Sequence, residues 1–255
     1  MTTPIIQARS LNKRFGSVQP ARDVSVDIAE RSIIGLIGTN GAGKTTFVNM
    51  LTGYIRPDSG EILYRGKNIT GVASRKITRM GIARSFQIPQ LFVSHTVREN
   101  AEIALAIAGL PASDADEILD RLGVLEFAEH ASGELPEGIR KLLDIAMAMV
   151  CKPQILLLDE PTSGVASEEK FDVMDRVLDT ARALGITVLF VEHDMEIVRR
   201  YSDRVLAFSD GRILADGTAD EVLSNREVRE LIIGETVPPV THDTAGGAAS
   251  GAAHA

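Results

Sequence analysis

One glycine-rich segment of the sequence has the composition of a phosphate-binding loop. Residues 38–45 read Gly-Thr-Asn-Gly-Ala-Gly-Lys-Thr and fit the pattern G-x-x-x-x-G-K-[ST]. Glycines let backbone N–H groups approach phosphate oxygens, and a helix that begins near Gly43 would point its positive dipole end at them. Lys44 would add a charge, and the Thr45 hydroxyl suits Mg²⁺. An accidental match is expected in about one chain in a hundred of this length, so the segment predicts nucleotide binding.

Two adjacent carboxylates follow a second apolar segment. Asp159 and Glu160 come directly after residues 155–158, which have the pattern of a buried strand. Asp159 would reach Mg²⁺ through a water molecule, and Glu160 would act as general base or orient the attacking water. Two exposed acids in a loop are common, but in a chain with a phosphate-binding loop the pair indicates nucleotide hydrolysis.

Two further polar residues lie at predicted strand ends. His193 follows the apolar segment 188–191, and Gln87 follows residues 83–86. Ligands bind at the carboxyl ends of strands in open parallel sheets, so His193 could donate a hydrogen bond to the γ-phosphate. A surface histidine and a solvated loop glutamine are the alternatives, which these two residues alone do not exclude.

The composition indicates a soluble globular protein. The chain has 255 residues, 44% hydrophobic and 24% charged, which favours one large domain or two small ones. A net charge of −8 gives no general attraction to nucleic acid or anionic lipid. The single cysteine, Cys151, excludes an intrachain disulfide framework and fits a reducing compartment. No secretory signal is visible, and no apolar stretch approaches the ~20 residues of a membrane-spanning helix.

The pattern of elements predicts an α/β core that helices interrupt. Residues 24–28 alternate apolar and polar within an antiparallel N-terminal region, and residues 33–38 form the continuous apolar run of a buried parallel strand. Helical periodicity replaces strand patterns between the two halves of the core. The predicted nucleotide-binding domain is 1–235, with a core at 1–89 and 152–235, a helical insert at 90–151 and a disordered tail at 236–255. The last 15 residues of that tail contain no Val, Ile, Leu, Met or aromatic residue.

Together these features resemble the ATP-binding cassette (ABC) family of transport ATPases over residues 5–235. The phosphate-binding loop, Gln87, the acid pair Asp159-Glu160, His193 and the helical insert before the acid pair carry the resemblance. It implies an α/β fold, namely a RecA-like P-loop NTPase core with a parallel sheet. An N-terminal antiparallel β subdomain and an inserted α-helical subdomain would complete that fold.

The resemblance also implies roles for individual residues, with ATP and Mg²⁺ as cofactors. The implied catalytic residues are Glu160, His193 and Gln87, and the implied metal ligands are Thr45, Gln87 and Asp159. Phe15 would stack on adenine. The remaining implied nucleotide contacts are Gly38, Thr39, Asn40, Gly41, Ala42, Gly43, Lys44, Thr45 and Thr46.

The family's L-S-G-G-Q signature is altered in this chain. Its candidates are residues 131–135 and 135–139, and the family's signature leucine lies about 24 residues before the metal-associated aspartate. Leu135 precedes Asp159 by 24 residues, which selects residues 135–139. Pro136, Glu137 and Ile139 then replace the serine, the first glycine and the glutamine, and Ala166 stands where the family usually has aspartate. These changes predict an asymmetric pair in which this chain completes its partner's site poorly.

Four stretches are most similar to the ATP-binding subunit of branched-chain amino-acid importers, namely 79–87, 135–138, 191–195 and 216–235. The implied partners are a second cassette in a homo- or heterodimer, transmembrane permease subunits and, indirectly, a periplasmic substrate-binding protein, but no nucleic acid. The implied location is cytoplasmic, on the inner face of the cell membrane. The alternatives are urea or amide import, lipopolysaccharide export and a soluble non-transport ABC ATPase. A GTPase is disfavoured because no N-K-x-D motif follows the loop, and a small-molecule kinase because the insert has few arginines.

Overall fold

The fold consists of two sheets and a group of helices, and the computed structural model describes residues 4–112 and 115–234. The predicted tail at 236–255 lies outside the described residues. The strands are β1 (Pro4–Phe15), β2 (Val18–Ala29), β3 (Ile33–Gly38), β4 (Ser59–Tyr64), β5 (Lys67–Asn68), β6 (Ile82–Arg84), β7 (Ile155–Asp159), β8 (Thr187–Val191), β9 (Arg204–Ser209) and β10 (Arg212–Gly217). The helices are α1 (Lys44–Leu51), α2 (Ser74–Arg79), α3 (Val97–Ala108), α4 (Ala115–Arg121), α5 (Glu137–Met149), α6 (Lys170–Ala183), α7 (Met195–Tyr201), α8 (Ala219–Ser224) and α9 (Arg226–Val228).

The larger sheet has the strand order β10-β9-β3-β8-β7-β6, and all its neighbouring strands are parallel except β9 and β10. Every residue of β3, β7 and β8 is buried, because helices and the second sheet cover both faces. The predicted buried parallel strand at 33–38 is therefore confirmed. The carboxyl ends of β3, β7 and β8 lie at one edge, which brings together segments far apart in the sequence.

The smaller sheet is antiparallel, with the order β2-β1-β4-β5. On β2, Val24, Val26 and Ile28 are buried, while Ser25 and Asp27 between them are exposed, so the predicted alternation is confirmed. Phe15 and Val18 pair at the tip of the β1–β2 hairpin. The apolar side chains of this sheet share a core with those of α1 and one face of the larger sheet.

Helices α3, α4 and α5 lie between β6 and β7 in the chain and share a second core with α6 and the other face of the larger sheet. Thr96 caps α3 through a reciprocal pair of hydrogen bonds with Glu99, which fixes where this helix begins. These three helices account for the helical periodicity that the sequence shows between the two halves of the core. Among the described residues, no helix combines the length and the apolar character that crossing a bilayer requires.

Candidate nucleotide-binding site

The phosphate-binding loop connects the end of β3 to the start of α1. Gly43 precedes α1 with φ 110°, and a Cβ atom there would lie 2.1 Å from the carbonyl oxygen of Pro20. Glycine is therefore required both for the backbone conformation and for the space. The first N–H groups of a helix have no partner within the helix, and Lys44, Thr45 and Thr46 in the first turn of α1 line the cavity described below. The predicted strand–loop–helix arrangement is confirmed.

The buried side chain of Lys44 curls back over this loop. Its Nζ donates hydrogen bonds to the carbonyl oxygens of Gly38 at 2.6 Å and Thr39 at 3.1 Å. Burial lowers the pKa of Lys44, and the nearby carboxylates of Glu160 and Asp159 oppose that shift. An ammonium group held in this way gains stability from a phosphate anion, so its placement suits nucleotide binding.

A cavity of about 220 Å³ lies above the loop. It is lined by Val18, Pro20, Asn40, Gly41, Ala42, Gly43, Lys44, Thr45, Thr46, Glu160, Val191 and His193. Most of the predicted phosphate contacts and two of the predicted catalytic residues therefore face one space. Phe15 is 49% exposed at the hairpin tip and lies outside that lining, with the Lys13 ammonium 5.3 Å from its ring centroid.

The three residues predicted to be catalytic meet at one carboxylate. Gln87 Nε2 donates a hydrogen bond to Glu160 Oε2 at 2.7 Å, and His193 Nε2 lies 3.2 Å from Glu160 Oε1. Glu160 has φ 48°, in the left-handed region, and its backbone N–H donates to the Val191 carbonyl oxygen. The backbone turn after β7 thus directs this carboxylate toward both partners at the rim of the cavity.

Asp159 pairs with an arginine that the sequence analysis did not identify. Arg84 Nη2 donates to Asp159 Oδ2 at 2.7 Å, and Arg84 Nη1 donates to Asn49 Oδ1 at 2.5 Å. Both members of the ion pair are largely buried, and the guanidinium also lies over the ring of Phe86. Pairing compensates the cost of burying each charge. An arginine directly after an apolar strand segment is the signal that could have indicated it.

Glu192 is a second residue that the sequence analysis missed. It is buried, and its Oε1 accepts hydrogen bonds from the Thr162 N–H at 3.0 Å and the Thr162 hydroxyl at 2.7 Å. Its Oε2 accepts from the His193 N–H at 3.1 Å. This carboxylate therefore ties the loop after Glu160 to the loop that carries His193. An acid directly after a fully apolar strand was the available signal.

The altered signature segment, residues 135–139, forms the beginning of α5. Pro136 is the N-cap residue, and helix α5 starts at Glu137. The Glu137 carboxylate accepts a hydrogen bond from Arg140 Nη2 at 2.9 Å, and its side chain packs against Gly164. The carboxylate therefore turns toward its own helix.

A larger groove, of about 1070 Å³, lies between the β6 edge and the helices before β7. Three exposed apolar side chains, those of Tyr54, Ile107 and Leu110, contribute to its lining. Arg75 and Arg79 of α2 also line it. The groove thus combines exposed apolar side chains with basic side chains.

Fold and site together define a P-loop nucleotide hydrolase, because a parallel sheet places a phosphate-binding loop beside an acid pair and a strand-end histidine. A family profile described as ABC transporter matches residues 21–163. The chain belongs to the ABC transporter family, as the resemblance implied, and it is an ATPase of that family.

Relatives and solved structures agree with this assignment. The chain is 36% identical to LivG of Salmonella typhimurium, a high-affinity branched-chain amino acid transport ATP-binding protein, over 92% of this chain and 100% of the relative. BraF of Pseudomonas aeruginosa, of the same description, is 35% identical over the same shares. An ATP-binding cassette of an ABC transporter in its ADP conformation superposes with a TM-score of 0.84 at 32% identity, covering 92% of this chain and 100% of that one. A nucleotide-free cassette gives 0.83 at 30% identity, covering 89% and 98%. The predicted fold is therefore confirmed.

Proposed function

We propose that this chain is the ATP-hydrolysing subunit of an importer for branched-chain or related amino acids. The observation that carries the proposal is its match to branched-chain amino acid transport ATP-binding proteins over their entire length. A methionine import ATP-binding protein from Rhizobium johnstonii is similarly identical, at 34%, but only 63% of its length is covered. The percentage identity does not distinguish the two groups, but the share of the relative's length that is matched favours the branched-chain group over the methionine importer.

In this proposal the loop at 38–46 holds the phosphates of ATP, and Phe15 contacts the adenine. Phe15 pairs with Val18, which lines the cavity. An adenine that extends out of the cavity on this side would therefore contact the exposed aromatic ring of Phe15. An aromatic ring at the rim stacks on a base without needing hydrogen bonds from it. The proposed core at 1–89 and 152–235 contains all these contacts, and the proposed helical subdomain is 90–151.

Glu160 is proposed as the general base for the attacking water. Gln87 and His193 hold its two oxygens from opposite sides, which fixes the direction of the carboxylate. Bound Mg²⁺ would neutralise charge on the phosphates. The hydroxyl of Thr45, the amide of Gln87 and the carboxylate of Asp159 offer the oxygen donors that this ion prefers.

We further propose that the chain works in a pair with a second cassette whose signature is intact. Pro136 has no N–H and no hydroxyl, so this position offers no hydrogen-bond donor to a partner's phosphate, and the Glu137 carboxylate, paired with Arg140, offers none in its place. The chain's own half-site has its phosphate-binding loop, Asp159, Glu160 and His193. ATP held by this chain would be the molecule that is hydrolysed.

The larger groove is proposed as the contact with a transmembrane permease subunit, at the cytoplasmic face of the cell membrane. Several apolar side chains that line this groove are exposed to solvent, as at Ile107, which is 69% exposed. Ile107→Asp should abolish co-purification with the permease subunits and leave ATP binding unchanged. Leu231→Asp is the matched control, because Leu231 is similarly exposed but lies on a different element. Equal retention of the permeases by both variants would contradict this contact.

The function is tested by reconstitution in vesicles. The chain, its partner cassette and the permease subunits are incorporated, and phosphate release is measured with a binding protein loaded with leucine, with methionine or with urea. Stimulation by leucine alone supports the proposed cargo, and stimulation only by another compound overturns it. The Glu160→Gln variant in the same vesicles provides the background rate.

A further inference from the structure

Helix α5 carries two buried charged residues on an otherwise apolar face. Lys141 is 1% exposed and Asp144 is 5% exposed, one helical turn apart, among Leu142, Leu143 and Ile145. A buried charge is costly unless hydrogen bonds and opposite charges compensate it. The hydrogen-bond partners of Lys141 and Asp144 therefore indicate the role of these two buried charges.

Lys141 donates hydrogen bonds to three backbone carbonyl groups at the site edge of the sheet. Its Nζ lies 2.9 Å from the carbonyl oxygen of Phe86, 2.9 Å from that of Gln87 and 3.4 Å from that of Asp159. An ammonium group has three donors, so all of them are used. Burial lowers the pKa of Lys141, and the carboxylates of Asp144 and Asp159 oppose that shift.

Asp144 binds backbone N–H groups of the same segment, residues 86–90. Its Oδ2 accepts a hydrogen bond from the Phe86 N–H at 3.1 Å, and its Oδ1 accepts one from the Gln90 N–H at 2.8 Å. Residues 86–90 belong to neither a helix nor a strand. The backbone N–H and C=O groups of this segment therefore find hydrogen-bond partners in the side chains of Lys141 and Asp144 and not in a neighbouring strand.

We propose that Lys141 and Asp144 are positioning residues that place Gln87 against Glu160 and link that contact to the orientation of α5. The inference rests on the roles proposed above for Gln87 and Glu160. Because α5 begins at the altered signature segment, a rotation of this helix against a partner cassette carries Lys141 with it. That movement changes the backbone position of Gln87 and of the strand end before Glu160.

The main test combines two substitutions in the full chain, paired with its partner cassette. Lys141→Met keeps the volume of the side chain and removes its donors. Its kcat should fall by roughly 10²-fold, the size of loss that a ~1 Å misplacement causes, while the KM for ATP changes less than about twofold. Gln87→Ala should lower kcat as well. In the double variant the loss should not exceed that of the more severe single variant, because both act through one contact.

A fluorescence probe reports on the segment independently of activity. The chain contains no tryptophan, and Ile88 beside Gln87 is 74% exposed, so Ile88→Trp introduces a single reporter. In the Ile88→Trp protein, Lys141→Met should lower the tryptophan anisotropy and increase quenching by acrylamide. Unchanged anisotropy and quenching would show that Lys141 does not hold the segment.

Leu143→Ala is the matched control, because Leu143 is fully buried on the same helix but contacts the apolar core. It should lower the Tm and leave kcat unchanged at temperatures below the transition. If Lys141→Met behaves like Leu143→Ala, or if its loss adds to that of Gln87→Ala, the proposal is wrong. An unchanged kcat in Gln87→Ala would instead overturn the proposed role of Gln87, and the catalytic part of this inference with it.

Discussion

The phosphate-binding loop and the signature segment at 135–139 differ in how much each offers to a nucleotide. The loop presents backbone N–H groups and the Lys44 ammonium, and a close approach of Gly43 to the Pro20 carbonyl fixes its shape. The signature segment begins with Pro136, which lacks an N–H, and its Glu137 carboxylate binds Arg140. The phosphate-binding loop therefore offers hydrogen-bond donors to a phosphate, whereas the signature segment lacks the donor that a residue other than proline would supply at position 136. We infer that holding ATP and completing a partner's site are separable properties of one cassette.

The largest effects are expected in the first region. Lys44→Ala should weaken ATP binding and abolish hydrolysis together, because in the proposed mechanism Lys44 contacts the phosphates before any reaction occurs. Glu160→Gln should leave ATP affinity unchanged while turnover falls by about 10²–10⁴-fold, the usual size of general-base loss. Nucleotide titration and phosphate release distinguish the two patterns. Normal turnover in Glu160→Gln would remove Glu160 from the mechanism.

The close approach of Gly43 to Pro20 makes the phosphate-binding loop sensitive to a Cβ atom added at Gly43. Gly43→Ala should lower the free energy of unfolding by roughly 3 kcal/mol, since a left-handed alanine costs about 1–2 kcal/mol and its Cβ also meets the Pro20 carbonyl oxygen. Gly41→Ala is the matched control. Gly41 also has a positive φ, but no atom lies within 4 Å of a Cβ placed there. Urea unfolding should therefore show a clearly smaller loss for Gly41→Ala, and equal losses would deny that the Pro20 contact shapes the loop.

Two substitutions would restore hydrogen-bond donors to the signature segment. The double variant Pro136→Ser, Glu137→Gly should raise the ATPase rate of the protein alone by about fivefold or more, since one recovered hydrogen bond contributes about 1 kcal/mol. Rates are measured as a function of protein concentration, because only pairs gain. An unchanged rate would mean that Gly138 and the first turn of α5 already supply enough donors for a homodimer.

The smallest effect is expected for Glu137→Gln, which removes the charge and keeps the shape of the side chain. The Glu137–Arg140 pair is about half exposed, so its loss should change the free energy of unfolding by less than about 0.5 kcal/mol. Chemical denaturation measures the change. A loss above about 1 kcal/mol would show that the carboxylate, and not only the packing of Glu137 on Gly164, supports the segment.

Much of the fold could be predicted because its signals are local. Continuous apolar runs indicate the buried strands, and the glycine-lysine pattern marks the loop between β3 and α1. The supporting polar contacts could not be predicted, because their partners are distant in the sequence. Arg84 and Asp159 are 75 residues apart, and Lys141 lies 55 residues from Phe86. A sequence shows that such a side chain is charged, but only the fold shows which group compensates it.

The left-handed backbone of Glu160 has a consequence for how this position can vary. A non-glycine residue at φ 48° costs about 1 kcal/mol or more, and a glycine would adopt the same conformation without that cost. Directed evolution that selects for heat resistance alone would therefore replace Glu160 by glycine or asparagine. Because Glu160 is the proposed general base, we expect such heat-resistant variants to be inactive, so that thermal stability and hydrolysis would make opposite demands on one residue.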